Sequence, residues 1–407
     1  MTAAHAGRWL AQLWRGAGSG RRRLVIGAIA LIAAATMIAI MLLPRDAPTP
    51  EPNAEALARV AADRFLDRYM DPDGRVVRRD QGGDTVSEGQ AYAMLLAVAI
   101  GDQPRFEQAW NWAKVHLQRE DGLLSWRWLE GRVPDRNSAS DADVDAAHAL
   151  VLAGWRFHQP RYLDEGRRIA RSILDGETVV LLEGARVLVA GPWARSSPYV
   201  INPSYFAPSA FRSLEAATGD PRWRALVRSS KQLVGRLTDD PPSLPPDWAL
   251  LDQDGALRPV PSPEGIRGRP RYGFDAPRLL LRLVADCAGT SRGLAVSAGR
   301  LLPHQPGRVA AEYDLRGREL VAYGHPLADV AASAVATAGG DPRTARLLLD
   351  HAEHLDRQAP TYYGAAWLAL GRVLLTTTLL TDCGATRGRS ISHASAAGVP
   401  LDARGAL

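Results

Sequence analysis

Three carboxylates stand where apolar stretches of this sequence begin. Glu88 opens Ser87-Glu88-Gly89-Gln90-Ala91-Tyr92-Ala93-Met94-Leu95-Leu96-Ala97, and from Ala91 to Ile100 the only polar side chain is Tyr92. Asp141 opens Ser140-Asp141-Ala142-Asp143, ahead of a run to Phe157 that is apolar on most sides, and Asp275 precedes Ala276-Pro277-Arg278 and a leucine-rich run. An acid at a helix start complements the helix dipole, worth about 0.3–1 kcal/mol, and each acid taken alone is read that way. A helix that is apolar all round is a buried one. Three acids at three buried-helix starts, if those helices converge, make a cleft with a carboxylate cluster. Aromatic residues accompany them in the connecting segments: Trp126, Trp128, Trp193, Tyr199, Tyr205, Trp248, Tyr272, Tyr362 and Tyr363. Rings with a polar handle are the surface on which sugars stack. Two carboxylates acting on a glycosidic bond are the matching chemistry.

No metal or cofactor is assigned. Asp141, Asp143 and Asp145 alternate as in a calcium loop, but Ala146 and Leu152 occupy the positions where such a loop needs its glycine and closing glutamate. The two cysteines, Cys287 and Cys383, have no Cys or His neighbour at metal-ligand spacing. They read as buried thiols or, in an oxidising compartment, as a disulfide.

The elements that must position these residues are mostly helices. Ser87 followed by Gln90 has the spacing of a capping box, which makes Ser87 the expected N-cap and Glu88 the first helical residue. Further helices are expected over about 55–69, 104–117, 141–157, 160–174, 209–217, 223–237, 275–286, 292–302, 327–338, 343–355 and 362–379. Residues 179–189 read as a short hairpin around Glu183-Gly184. The 238–272 segment, with eight prolines, reads as a long loop region. Largely apolar helices alternate with helices whose apolar residues keep to one stripe, such as Leu163, Ile169 and Ile173. That alternation predicts an inner ring wrapped by an outer ring, an α/α toroid, with a cleft where the inner helices begin. No sequence repeat indicates a solenoid.

Charge and hydropathy bound the partners. The net charge of +5 comes from residues 1–43, which hold Arg8, Arg15, Arg21, Arg22 and Arg23 and no acid; the remainder is balanced at 44 basic against 44 acidic residues. A nucleic-acid partner loses its support. Leu24 to Leu43 carries no charge over 20 residues, enough to span a bilayer, and the preceding arginines orient the rest of the chain outward. The Leu42-Leu43-Pro44-Arg45 exit is a poor cleavage site, so an uncleaved anchor in the inner membrane is expected, with a cleaved signal peptide as the alternative. The expected organisation is a cytoplasmic segment 1–23, an anchor 24–43, a proline-rich linker 44–54, a helical domain 55–383 and a small, polar, disordered tail 384–407.

Ser87-Glu88-Gly89-Gln90-Ala91-Tyr92, Ala139-Ser140-Asp141-Ala142-Asp143, Asn202-Pro203-Ser204-Tyr205-Phe206 and Phe274-Asp275-Ala276-Pro277-Arg278 occur in the order seen in glycoside hydrolase family 8. The sequence resembles that family over about residues 57–379. The resemblance implies an all-α (α/α)6 barrel with a short β-hairpin and long loops over the cleft, and inverting endo-hydrolysis of a β-1,4-glucan without a cofactor. It implies Glu88 as general acid, Asp275 as general base and Asp141 as the residue holding the sugar at the cleavage subsite. Tyr205 and Trp128, with Tyr92 and Arg278 from the same motifs, are implied near the bound glucan. An export segment ahead of one catalytic unit is similar to members that accompany a cellulose synthase complex in the periplasm. Phe274 departs from the tyrosine usual before the base, and Ala146 from a larger apolar residue. Two alternatives stay open: a hydrolase of another β-1,4-linked polymer such as chitosan, and a non-catalytic glucan-binding component of a synthase complex. The second is expected to have lost a carboxylate, and all three are present.

Overall fold

Twelve α-helices alternate between two roles in the computed structural model, which describes residues 54–265 and 267–380. They are α1 (Ala54–Tyr69), α2 (Ser87–Ile100), α3 (Gln103–His116), α4 (Ser140–Arg156), α5 (Pro160–Gly176), α6 (Pro208–Thr218), α7 (Arg222–Thr238), α8 (Pro277–Ala285), α9 (Gly289–Gly299), α10 (Pro326–Gly339), α11 (Pro342–Gln358) and α12 (Tyr362–Thr376). The even-numbered helices touch one another in sequence order, and α12 closes back on α2. The odd-numbered ones pack outside them: α1 on α12 and α2, α5 on α4 and α6, α11 on α10 and α12. This is the (α/α)6 barrel.

Sequence decides which ring each helix joins. In α2 every residue except Glu88 is buried, because an inner helix has neighbours on all sides. In α5 the buried residues are Tyr162, Gly166, Ile169, Ala170, Ile173 and Leu174, one stripe at helical spacing, with charged residues opposite.

Short strands fill the connections that lead from an outer helix to the next inner one. Strand β1 (Thr85–Val86) precedes α2. It joins β2 (Ser125–Leu129) and β3 (Arg132–Ser138) in an antiparallel sheet ordered β1-β2-β3, with Thr85 opposite Trp128. The hairpin expected at 179–189 is β4 (Thr178–Val180) with β5 (Arg186–Leu188). Strands β6 (Tyr199–Ile201), β7 (Trp248–Leu251) and β8 (Leu257–Val260) form another sheet, and β9 (Arg271–Tyr272) pairs with β10 (Tyr313–Asp314). The 238–272 segment is therefore partly strand and not one long loop; Pro241 and Pro242 sit in the turn after α7, and Pro259 lies inside β8 on the sheet edge, where a missing N–H is tolerated. Connections from inner to outer helices are brief, Gly101-Asp102 and Gly340-Asp341 among them. All the bulk of the loops thus gathers at the end where the inner helices begin.

The capping box at Ser87 does not form. Val86 is the N-cap, Ser87 is already helical and its buried hydroxyl has no partner. Gln90 turns outward from the helix end instead: its Nε2 donates to the Gly74 and Ala109 carbonyls (3.0 and 2.9 Å) and its Oε1 accepts from the Val76 N–H. Ser140 behaves similarly, donating to the Val189 carbonyl at 2.6 Å while Ala139 is the N-cap. Helix α8 starts at Pro277, so Asp275 lies in the turn before the helix. The expected anchor, linker and tail, and Cys383, lie outside the described residues. No helix among the described residues is long and apolar enough to cross a membrane.

Candidate active site

Arg278 is the residue on which the three acids meet. Its Nη1 donates to Asp141 Oδ2 at 2.8 Å and to Glu88 Oε1 at 3.2 Å, and its Nη2 donates to Asp275 Oδ1 at 2.7 Å. The Arg278 and Asp141 side chains are 1% and 3% exposed, whereas those of Glu88 and Asp275 are 28% and 29% exposed. The site therefore has a buried guanidinium–aspartate floor and two carboxylates facing the opening. Different terminal nitrogens of one guanidinium hold those two carboxylates, which keeps them apart from each other. A planar guanidinium with five fixed donors is suited to that bridging role; a lysine ammonium is not.

Each acid has its own support. Tyr92, one turn below Glu88 on α2, donates its hydroxyl to Glu88 Oε1 at 2.7 Å and packs edge-on against Trp367. Gly89 lets the Tyr362 ring approach the helix start, because a Cβ there would lie 2.3 Å from the Tyr362 hydroxyl. Asp141 and Asp145 are four apart on α4 and share a face. Asp145 forms a two-pronged pair with Arg282, at 2.7 Å on both prongs. Asp143 points the other way, accepts the Leu124 N–H at 2.8 Å and shares a hydrogen bond with Glu177, which also accepts from Ser138. The alternating aspartates of the sequence thus divide between two environments and do not converge on one ligand set.

The electrostatics follow from burial. Desolvation raises Asp141 to about 6, against the pull of Arg278 and with the charge of Glu88 adding to the rise. Asp275 is also raised by burial; Arg278 opposes this and Asp141 reinforces it, while the Asn202 amide nitrogen, which has no other partner, lowers it. Asp247, outside every motif picked from the sequence, lies beneath the turn carrying Asp275 and accepts the N–H groups of Gly273, Asp275 and Ala276 at 3.0, 3.2 and 2.9 Å.

The expected aromatic lining separates into three groups. Tyr205 is 8% exposed and lies under Arg278, whose guanidinium is 5.4 Å from the ring centre, with Trp248 at its edge. Trp128 is half-buried on β2, edge-on to Trp112 and covered by Arg75 at 4.3 Å. Tyr363 donates to the Phe274 carbonyl at 2.9 Å, which fixes the residue before Asp275. Trp193 is exposed, and Trp126 is held by Asp135. Tyr272 and Tyr362 are instead core residues, packed on Tyr313 and on Phe65 and Tyr69. Tyr199 is buried and donates to Gln253. Sequence reading missed Asp247, Arg282 with Asp145, Asn202 and the Asp143–Glu177 pair. Only Asp143 and Asn202 lay inside a recognised motif, and nothing in periodicity marks the others.

The sequence profile of glycosyl hydrolases family 8 matches residues 39–262. A probable endoglucanase of Novacetimonas hansenii is 36% identical over 242 residues, covering 57% of this chain and 68% of the relative. An endoglucanase of Cellulomonas uda is 34% identical over 258 residues, covering 62% and 67%. The solved structure of an endo-beta-1,4-glucanase from Acetobacter xylinum superposes with a TM-score of 0.66 at 29% identity, covering 80% of this chain and 98% of that one. The profile span includes Glu88 and Asp141, and Asp275 and Arg278 follow it in the same guanidinium cluster. By profile, relatives and barrel, the chain belongs to glycosyl hydrolases family 8.

Proposed function

We infer that this chain is an endo-β-1,4-glucanase that cleaves internal bonds of cellulose-type glucan with inversion at the anomeric carbon. The observation that carries the reading is the placement of Glu88 and Asp275, the two partly exposed carboxylates, on different nitrogens of buried Arg278. Glu88 delivers a proton to the glycosidic oxygen. Asp275 takes a proton from a water that attacks the opposite face of the sugar. Such a site needs room for that water, with carboxyls about 6.5–9.5 Å apart, and carboxylates bridged by a guanidinium instead of touching suit that spacing. Asp141, Tyr205 and Tyr92 complete the floor on which the sugar at the cleavage point rests, and Trp128 supports the rim.

The relatives named as endoglucanases support β-1,4-glucan over other polymers. The export-type pattern of Arg21-Arg22-Arg23 and Leu24–Leu43 supports a periplasmic catalytic unit held at the inner membrane, acting on glucan as a cellulose synthase complex makes it. Release of reducing ends from carboxymethyl cellulose, mixed-linkage glucan, xylan and chitosan tests the substrate. Preference for chitosan, or no hydrolysis of any glucan, overturns it.

A further inference from the structure

The turn that carries Asp275 is held by a second carboxylate. Asp247 immediately precedes β7, and its own N–H donates to the Arg271 carbonyl at 2.9 Å, which fixes it beside the strand leading into the turn. Its Oδ1 gathers three successive-turn amides, those of Gly273, Asp275 and Ala276. Gly273 has no side chain where one would collide: a Cβ there would lie 2.5 Å from Asp247 Oδ2. Helix α8 begins only at Pro277: its Arg278 N–H donates to the Asp275 carbonyl at 3.1 Å, but the helix offers no acceptor to the Gly273, Asp275 and Ala276 N–H groups, and Pro277 has no N–H to add. The carboxylate supplies the acceptor that the missing helical turn would have supplied.

Resting on the reading of Asp275 as the base, we propose that Asp247 is a positioning residue for catalysis: it sets the backbone of residues 273–276, and through it the placement of the Asp275 carboxylate against the attacking water. Burial, and then the charge on Asp275, push Asp247 up to about 7. The other groups facing Asp247 are Arg271, whose Nε is 3.7 Å away and whose Nη1 is paired with Glu312, and Tyr272.

The experiment compares Asp247→Asn and Asp247→Ala with the wild-type chain on carboxymethyl cellulose, with kcat and KM measured across pH and folding checked by thermal melting. Asparagine keeps the oxygen that accepts three amides and removes the charge. Asp247→Asn should hold kcat within about tenfold, because the oxygen that accepts the three amides remains. Asp247→Ala should lose kcat on the order of 100-fold with KM little changed, and hydrogen exchange over residues 271–279 should accelerate. Equal losses in both variants, or a loss expressed in KM alone, overturn the proposal. The underlying reading fails separately, if Asp275→Asn retains near-normal turnover.

Discussion

Asp141 and Arg278, 137 residues apart, form the upper rung of a ladder across the barrel, at 2.8 Å; Asp145 and Arg282, four residues further along each helix, form the lower rung. The inner helices run parallel, so residues four apart on α4 meet residues four apart on α8 at the same depth. The upper rung carries the two open carboxylates. The lower rung pairs the next two charges, and without Asp145 the buried Arg282 would be an uncompensated cation one turn below Arg278.

Removal of either open carboxylate is expected to abolish turnover. Glu88→Gln and Asp275→Asn should each lower kcat by at least about 10²–10⁴-fold, the range supplied by a positioned acid or base. Both should still bind cello-oligosaccharides, since the floor is intact. Proton NMR of the first product should show the α-anomer. An initial β-anomer means retention, and the assignment of Asp275 as base is then wrong.

Arg278 should not tolerate lysine. A single ammonium cannot span Asp141, Glu88 and Asp275 in one plane, and breaking a buried pair that leaves charge behind destabilises by about 3–5 kcal/mol. Arg278→Lys should lose both activity and chemical stability in a denaturant titration. A variant with normal stability and activity would remove Arg278 from the centre of the site.

Stability should fall as pH rises from acid to mildly alkaline values. Burial pushes Asp143 up to about 8 and its partner Glu177 well above the carboxylate range. Both groups hold protons in the folded chain that they release when unfolded, so their contribution is complete below about pH 4 and is lost as pH approaches about 8. Asp141, Asp247 and Asp329 are raised too and add in the same direction. Asp143→Asn, which can still accept from Leu124 and donate to Glu177, should flatten the decline in melting temperature between pH 5 and pH 8. A melting temperature that climbs over that range contradicts the shared-proton pair.

Gly89→Ala should damage the site without touching a charge. The new methyl would meet the Tyr362 hydroxyl at 2.3 Å, and that ring is locked between Phe65 and Tyr69. Overpacking of this kind costs about 1–3 kcal/mol and should tilt Glu88 out of line with Arg278. The measurement is kcat together with denaturant midpoint; unchanged values for both would show that the Tyr362 ring yields freely.

The N-terminal segment is tested by fractionation. Intact chain should sediment with membranes if Leu24–Leu43 is an uncleaved anchor. Soluble mature chain beginning near residue 45 would instead indicate a cleaved signal. Thiol titration of denatured, unreduced protein settles the Cys287–Cys383 pairing: no titratable thiol is expected, and two free thiols would contradict it.

Local pattern alone determined a large part of this protein. The dozen helices, their division into apolar and striped kinds, and the acids at three inner-helix starts were legible because helical periodicity reports which faces are covered. Glu88, Asp141, Asp275 and Arg278 all fell in stretches that the sequence singled out. Other features depended on contacts between residues far apart in the chain. The β2–β3 and β6–β7–β8 sheets were missed because their strands are short and their pairing is set by the barrel end they cover. Ser87 looked like a cap, but Gln90 found better partners in Gly74 and Ala109, groups that reach it only after the chain folds back. Tyr362 and Tyr272 looked like cleft residues, and burial against distant aromatics put them in the core. Asp247 had no local signal, because its role is defined by three amides near residue 275, brought over it by the pairing of sequence-distant segments. Composition and period decide what each element buries; only the closed ring of helices decides which charges meet on Arg278.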